Sequence, residues 1–392
     1  MASVPETCNI PRSKQHFQAA TSILAQGPVT AALGYVHAGV AEAACWDLQV
    51  HEGLASSRTA VQIAEHVHDD ALWARAAYIH GLHLASSGRL REGRHLLERA
   101  WQTANRLNHP VSFFISFLGS ALANWFVDPR EAQWWCEREL AQQRVAHASG
   151  QRQRLLARLA ATYALGGDLE RASSIAAGVP ASYNAWPFFY WSGEWDRCEA
   201  IARDWITTSK RSGERAFAFE ATYDLAHLIR SRGDAAKAGA ELESVLNIAA
   251  DGGERTYEVA ALALLALVCA EMRELQQAEL HLARCRQIMD NGEDWRGLAG
   301  RVLLAEGVTA MGGGDIGAGI AHFRNAINVF RQHQFPWGEA EVFFVWGRAL
   351  HHVGEAPAAI ARFESALEIY SRHGAGERWL DRVRSERVRV VT

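Results

Sequence analysis

The sequence predicts an all-α protein, an α-solenoid of about nine helix-turn-helix repeats that form a right-handed superhelix. Three observations support this class. Ala, Leu, Arg and Glu dominate the composition, and only 9 of the 392 residues are proline, which favours helices. A frame of small and large apolar residues recurs about every 40 positions. No segment shows the alternation of polar and apolar residues that indicates a β-strand.

The repeat is clearest in the C-terminal hairpin. A small residue lies in its first helix, a glycine marks the turn and a small–large–small triplet occupies the second helix, at Gly347, Gly354, Ala359, Phe363 and Ala366. A small residue in the first helix lets the second helix approach closely, and the large residue fills the gap. The same frame recurs in four earlier hairpins, with the first small residue at Gly307, Ala266, Ala226 and Gly81.

The chain order of the pattern predicts five segments. The step between hairpins shortens to 26 positions near Pro180 and Pro187, which predicts a break in the array. The last helix is charged on its outer side, as the polar cap of a repeat array must be. The segments are an N-terminal capping helix (1–29), a first sub-array (30–179), an irregular or shortened repeat (180–213), a second sub-array (214–375) and a C-terminal capping helix (376–392).

This frame resembles that of the tetratricopeptide repeat (TPR) family, although the period exceeds the ~34 residues usual there. Residues 337–386 look most similar to the long-helix repeat arm of MalT-type and other large LuxR-family regulators, and of bacterial nucleotide-cyclase regulators. In those families the arm binds an inducer or a partner protein. The sequence has no Walker A motif, so the resemblance implies a binding arm without the ATP-dependent part.

Charge and composition narrow the function classes. The 40 basic and 44 acidic residues leave a net charge of −4, which disfavours direct binding of nucleic acid or an anionic membrane. The longest apolar run, 259–270, is shorter than the ~20 residues of a membrane span. The six cysteines form no C-x-x-C pair, and the N-terminus has no secretory pattern. We therefore expect a cytoplasmic protein, and the scarcity of lysine suggests a bacterial one.

No motif indicates a metal, a cofactor or catalysis. The histidines include no H-E-x-x-H and no cluster with Cys or carboxylates at ligand spacing. Residues 311–317, MGGGDIG, fit G-x-G-x-x-G, but they lie at a turn between two helices, whereas a dinucleotide site follows a strand. We expect no enzymatic activity, no metal and no cofactor.

The candidate site is the concave groove of the superhelix. The TPR resemblance implies that the first helix of each repeat lines this groove, where the sequence places aromatic rings beside arginines, as recognition surfaces do. Glu220, Arg301 and Glu341 belong to the same helix faces. The candidate groove residues are Tyr78, Phe117, Asn124, Trp125, Arg154, Tyr190, Trp191, Tyr223, His227, Arg230 and Arg348.

Two hypotheses follow for the function. The leading one is a non-enzymatic scaffold that binds a protein or peptide partner in the groove, in bacterial regulation or signalling. The alternative is a small-molecule sensor of MalT type, with a pocket formed by the aromatic residues in mid-array. On the first hypothesis, replacing Arg230 and Arg348 together should weaken partner capture without unfolding the chain.

Overall fold

The structure is a computed structural model that describes residues 9–179 and 185–391, apart from the side chains of 146, 147 and 149. These residues form 21 helices and no strand, so the prediction of an all-α solenoid is confirmed. Part of the segment expected to be irregular, 180–184, lies outside the described residues.

Eighteen of the helices pair in sequence into nine hairpins, each made of a helix A and a helix B. In order these are α2 (Ala31–Trp46) with α3 (Val50–His66), α4 (Asp70–Ser86) with α5 (Leu90–Arg106), α6 (Val111–Trp125) with α7 (Pro129–Leu140), α9 (Ser149–Leu165) with α10 (Leu169–Ala176), α11 (Trp186–Trp191) with α12 (Trp195–Ser212), α13 (Arg215–Ser231) with α14 (Ala235–Gly252), α15 (Arg255–Glu271) with α16 (Leu275–Met289), α17 (Arg296–Gly312) with α18 (Ile316–Gln332), and α19 (Pro336–His352) with α20 (Ala356–Arg372). The three helices outside the hairpins are α1 (Ile10–Leu24), α8 (Gln143–His147) and α21 (Glu377–Val391).

The small–large frame has the predicted packing role. A Cβ atom added to Gly347 would lie 2.7 Å from the ring of Phe363, and one added to Gly307 would lie 2.6 Å from the ring of Phe323. The two helices of a hairpin therefore touch where the glycine leaves room for the ring.

The turns inside the hairpins follow from two residue types. Gly314, two residues after the end of α17, has φ +91°, a left-handed conformation that glycine adopts without steric cost. The next residue, Asp315, accepts a hydrogen bond from the backbone N–H of Ala318 at 2.9 Å and so caps α18. Gly233 and Asp234 repeat this arrangement before α14.

The superhelix closes on itself along a line of contacts that we call the seam. The turns inside the first five hairpins meet the connections that lie about five hairpins later. Asn291 Nδ2 donates to the carbonyl of Gly88 at 3.0 Å, across 203 positions. His373 Nδ1 lies 3.0 Å from the carbonyl oxygen of Gly167, across 206 positions. One superhelical turn therefore takes about five hairpins, and the inner faces of the A helices are enclosed.

Three glycines let backbone meet backbone at the seam. A Cβ added to Gly252 would lie 1.7 Å from the carbonyl oxygen of Leu48. One added to Gly376 would lie 2.1 Å from the carbonyl oxygen of Ser192, and one added to Gly297 would lie 2.5 Å from that of Val127. No side chain larger than hydrogen fits at these positions unless the two superhelical turns separate.

Glu254 makes the stability of the seam depend on pH. This residue is buried in the connection before α15, and burial raises the pKa of its carboxyl from 4.5 to about 7 despite a hydrogen bond with Ser86. The folded chain thus holds a proton that the unfolded chain releases, and stability is lost as pH rises from about 4.5 through 7. We expect Glu254→Gln to raise the free energy of unfolding by about 2–3 kcal/mol at pH 8.5 and to change it little at pH 4.5.

Urea titrations of the two proteins at both pH values measure this difference. Glu274 is exposed and immediately precedes α16, as Glu254 immediately precedes α15, so Glu274→Gln is the control. A gain from Glu254→Gln that is equal at both pH values would show that the ionisation of Glu254 is not the cause.

Several features are absent from the described part of the chain. No helix there is long and apolar enough to cross a membrane. No group of three or more His, Cys, Asp or Glu side chains in these ranges could hold a metal ion.

Candidate binding site

The superhelix contains a cavity of about 180 Å³ that is partly open to solvent. Its walls are mainly the inner faces of A helices, from α6 and α9 in the first superhelical turn to α13, α15, α17 and α19 in the second. The short helix α11 and the C-terminal helix α21 close it on one side. The cavity therefore depends on the seam, because its walls come from both superhelical turns.

One wall of the cavity is an aromatic group that we call the tryptophan cluster: Trp186, Tyr190, Trp191, Trp337 and Trp379. The rings of Trp191 and Trp337 stack with centroids 4.6 Å apart, and Trp379 lies 4.7 Å from Trp191. Two of the indole N–H groups donate to backbone carbonyls: Trp337 donates to Ala164 at 2.6 Å and Trp379 donates to Tyr190 at 2.8 Å. These bonds fix rings from distant repeats in one orientation.

A second aromatic group consists of Trp125 and Tyr223, which line the cavity, and of Phe219 and Tyr257, which pack against them. Trp125 lies 4.4 Å from the ring of Tyr257 and 5.1 Å from that of Tyr223. Its indole N–H donates to Glu220 at 3.1 Å, and the Tyr257 hydroxyl donates to the same carboxylate. Burial raises the pKa of Glu220, against the lowering effect of the hydrogen bonds from Tyr257 and Trp125.

A buried ionic network lies beside the cavity. Arg230, with 4% of its side chain exposed, donates to Glu271 at 2.8 Å and to Glu341 at 2.9 Å. Arg348 donates to Glu271 at 3.1 Å, and Arg382 donates to Glu341 at 2.7 Å. Burial alone would raise the pKa of Glu341, but the charges of Arg382 and Arg230 outweigh it and hold this pKa well below its usual range. The network joins hairpins 6, 7 and 9 to α21.

Asn124 and His227 line the cavity, and each has a buried polar atom without a hydrogen-bond partner among the described residues. These atoms are Oδ1 of Asn124 and Nε2 of His227. Burial, with the charges of Arg301 and Arg230, holds the pKa of His227 well below its usual range, so its imidazole is neutral. A buried polar atom left unpaired costs about 1–3 kcal/mol, and a bound ligand can remove that cost.

The structure brings seven of the eleven candidate groove residues to this cavity. The lining includes Asn124, Trp125, Tyr190, Trp191, Tyr223, His227 and Arg230. Tyr78, Phe117, Arg154 and Arg348 lie elsewhere.

Each of these four residues has another local environment. The Tyr78 hydroxyl is buried and donates to Glu42 at 2.6 Å, within hairpins 1 and 2. Arg154 is exposed, and its guanidinium lies 5.8 Å from the ring of Phe117. Arg348 contacts Glu271 and lines a separate cleft of about 30 Å³. The sequence predicts that the inner faces of all A helices form one open groove. Contacts along the seam instead place these faces in separate environments.

Arg230 also differs from its expected role as an accessible groove residue. Its carboxylate partners have only 7% and 15% of their side chains exposed, so its replacement leaves poorly solvated charge unpaired. The double replacement of Arg230 and Arg348 is therefore expected to destabilise the fold as well as the site.

Sequence reasoning did not single out Trp186, Trp337 or Trp379 for the site. Trp337 and Trp379 reach Trp191 only across the seam, about 150 to 190 positions away. The positions of these residues within their own repeats did not predict that contact. The break in the repeat period near Pro187 was the usable signal, because α11 begins there.

Comparisons with known proteins bear on the fold. No protein-family model matches the chain, and no curated protein matches it significantly. Among solved structures, a Rap protein complexed with competence and sporulation factor is 10% identical, with 87% of this chain and 98% of that chain covered and a TM-score of 0.62. This likeness shows a shared helical-repeat fold.

Two further solved structures have lower TM-scores. The apo form of RapI is 13% identical, with coverage of 76% of this chain and 98% of that chain and a TM-score of 0.44. The Cut9–Hcn1 hetero-tetramer of the APC/C is 14% identical, with coverage of 91% and 84% and a TM-score of 0.36. The first of the three structures supports a TPR-like helical-repeat fold, and closeness to MalT-type arms is not shown.

Proposed function

We propose that this chain is a non-enzymatic, cytoplasmic repeat protein of bacterial regulation that binds a peptide in the cavity of its closed superhelix. The observation that carries the proposal is that two residues of an aromatic-lined cavity have unpartnered buried atoms, Asn124 Oδ1 and His227 Nε2. An amide N–H of a peptide would satisfy the first atom, and an apolar side chain would pack on the rings.

The size of the cavity supports the anchoring of one residue. A cavity of about 150 Å³ accommodates benzene, and the 180 Å³ here is comparable. The remainder of a peptide would lie along the helices outside the cavity. The Rap protein of similar fold is complexed with competence and sporulation factor, which supports a regulatory ligand. Residues 337–386 resemble the arm of MalT-type regulators, which binds an inducer or a partner protein, and this resemblance also supports a regulatory ligand.

Native mass spectrometry of the full chain purified from its own host tests this function. We expect a retained species whose fragment ions are those of a peptide. Ala121 lines the cavity, so Ala121→Phe places a ring inside it and should abolish retention. Ala141→Phe, at an exposed position, is the matched control and should retain the peptide.

Two outcomes contradict the proposal. A retained species of a few hundred daltons without peptide fragment ions would identify the chain as a small-molecule sensor. Retention that is equal in the wild type and Ala121→Phe would place the peptide outside the cavity. The melting temperature of each variant is measured alongside, so that loss of folding is distinguished from loss of binding.

A further inference from the structure

Arg301 lines the cavity but, unlike Arg230, has no carboxylate partner among the described residues. It projects from α17, is half-buried and lines the cavity. Its guanidinium donates to the Tyr223 hydroxyl and lies 5.8 Å from the Tyr223 ring centroid. No carboxylate within the described ranges forms a salt bridge with it, whereas Arg230 has two. Arg301 therefore has donors that no acidic side chain satisfies.

Tyr223 lies beside Arg301 and beside two other cavity-lining rings. Its ring lies 4.8 Å from the imidazole of His227 and 5.1 Å from the indole of Trp125. A guanidinium with no carboxylate partner, an unpaired amide oxygen and an unpaired imidazole nitrogen thus belong to residues that line one cavity. The tryptophan cluster lines the same cavity.

These groups match one ligand chemistry. A carboxylate is the group that a guanidinium binds best, often through two parallel hydrogen bonds. A backbone N–H close to that carboxylate is the donor that the Asn124 oxygen lacks. The carboxylates of Glu220 and Glu341 are also in the wall, which disfavours a doubly charged anion such as phosphate.

The terminal residue of a peptide carries this combination. It presents a carboxylate, one amide N–H and one side chain, in a volume close to that of the cavity. An internal Asp or Glu would need the chain to enter and to leave, whereas a C-terminal residue needs a single path. In the cavity the side chain would contact the rings while the carboxylate contacts Arg301.

We infer that Arg301 binds the C-terminal carboxylate of the peptide, that Asn124 accepts the N–H of its last residue, and that the tryptophan cluster packs on an apolar last side chain. This inference rests on the proposed function and names the end of the peptide that enters the cavity.

Two peptide libraries test the inference with the full-length chain. Both consist of the same N-acetylated pentapeptides with an apolar or aromatic last residue; one has a free C-terminal carboxylate and the other a C-terminal amide. The protein is mixed with each pool, separated by gel filtration, and its bound peptides are quantified by mass spectrometry. We expect free acids to be retained at least tenfold more than the amides of the same sequence, because hydrogen bonds to charged groups are the strong ones.

Three variants locate the effect at Arg301. Arg301→Gln should abolish the preference for the free acid, and Arg301→Lys should keep part of it by keeping the charge. Arg324→Gln, at an exposed position of α18 in the same hairpin, should leave the preference unchanged. Circular dichroism melting of each variant verifies folding.

The outcomes separate the inference from the proposed function. Equal retention of acids and amides would overturn the inference and leave peptide binding intact, as would an acid preference that survives Arg301→Gln. Retention of neither library would count against both. N-acetylphenylalanine is a further arm: if it binds as tightly as the best pentapeptides, the ligand is a small carboxylic acid and the assignment to a peptide end is overturned.

Discussion

We expect Glu341→Leu to lower the free energy of unfolding by about 3–5 kcal/mol, because it removes one carboxylate from a buried network of three arginines. In the folded chain this side chain accepts from Arg230 at 2.9 Å, from Arg382 at 2.7 Å and from the Tyr370 hydroxyl at 3.3 Å. After the change Arg382 retains no described carboxylate partner. Urea unfolding at pH 7 measures the loss.

A pH series supplies a second readout for this prediction. The pKa of Glu341 is held well below its ordinary value of 4.5, so the stability it contributes is present above about pH 4.5 and is lost as pH falls below it. The stability gap between the wild type and Glu341→Leu should therefore narrow on acidification. Glu368→Gln, which breaks an exposed ion pair with Arg372, is the control and should cost less than about 1 kcal/mol. A comparable loss in both variants would show that burial does not set the strength of these pairs.

We expect Gly252→Ala to lower the free energy of unfolding by about 3 kcal/mol or more, by forcing the two superhelical turns apart. The added methyl would lie 1.7 Å from the carbonyl oxygen of Leu48, and backbone cannot move aside as a flexible side chain can. Gly317→Ala, in the first turn of α18, is the matched control because the nearest atom to its added Cβ is 3.7 Å away. Helix propensity makes the control neutral or slightly stabilising.

Small-angle X-ray scattering separates seam opening from a general loss of stability. We expect a larger radius of gyration for Gly252→Ala than for the wild type and Gly317→Ala under native conditions. A Gly252→Ala protein that matches the wild type in both stability and radius would contradict the direct backbone contact at the seam.

The fold was predictable from the sequence because each hairpin forms through local contacts. Gly347 and Phe363 are 16 positions apart, and their spacing alone predicts the close helix pair that the structure shows. The short helix α8 was not predicted, since it has only 5 residues and no apolar period. The glycine frame predicted the turns for the same local reason, as at Gly314.

The candidate site was only partly predictable because it depends on the pitch of the superhelix. A small rotation per repeat accumulates over about five hairpins, and no residue pattern within one repeat fixes it. The period break drew attention to Trp191, but its stacking partner Trp337 lies in hairpin 9. The burial of Arg230 could not be predicted either, because its partner Glu341 lies three hairpins later in the chain.

The seam changes how this solenoid responds to the loss of a repeat. In an open array each repeat depends only on its two neighbours, so the ends can fray or be removed one unit at a time. Here α21 supplies Trp379 to the cavity, and Gly376, in the connection before α21, donates its N–H to the carbonyl of Trp191 at 2.9 Å, in hairpin 5. Removal of the last helix would therefore expose the middle of the chain. We therefore expect the nine hairpins to unfold as one cooperative unit, because contacts along the seam join distant repeats. Insertion or deletion of a whole repeat would shift every pairing along the seam.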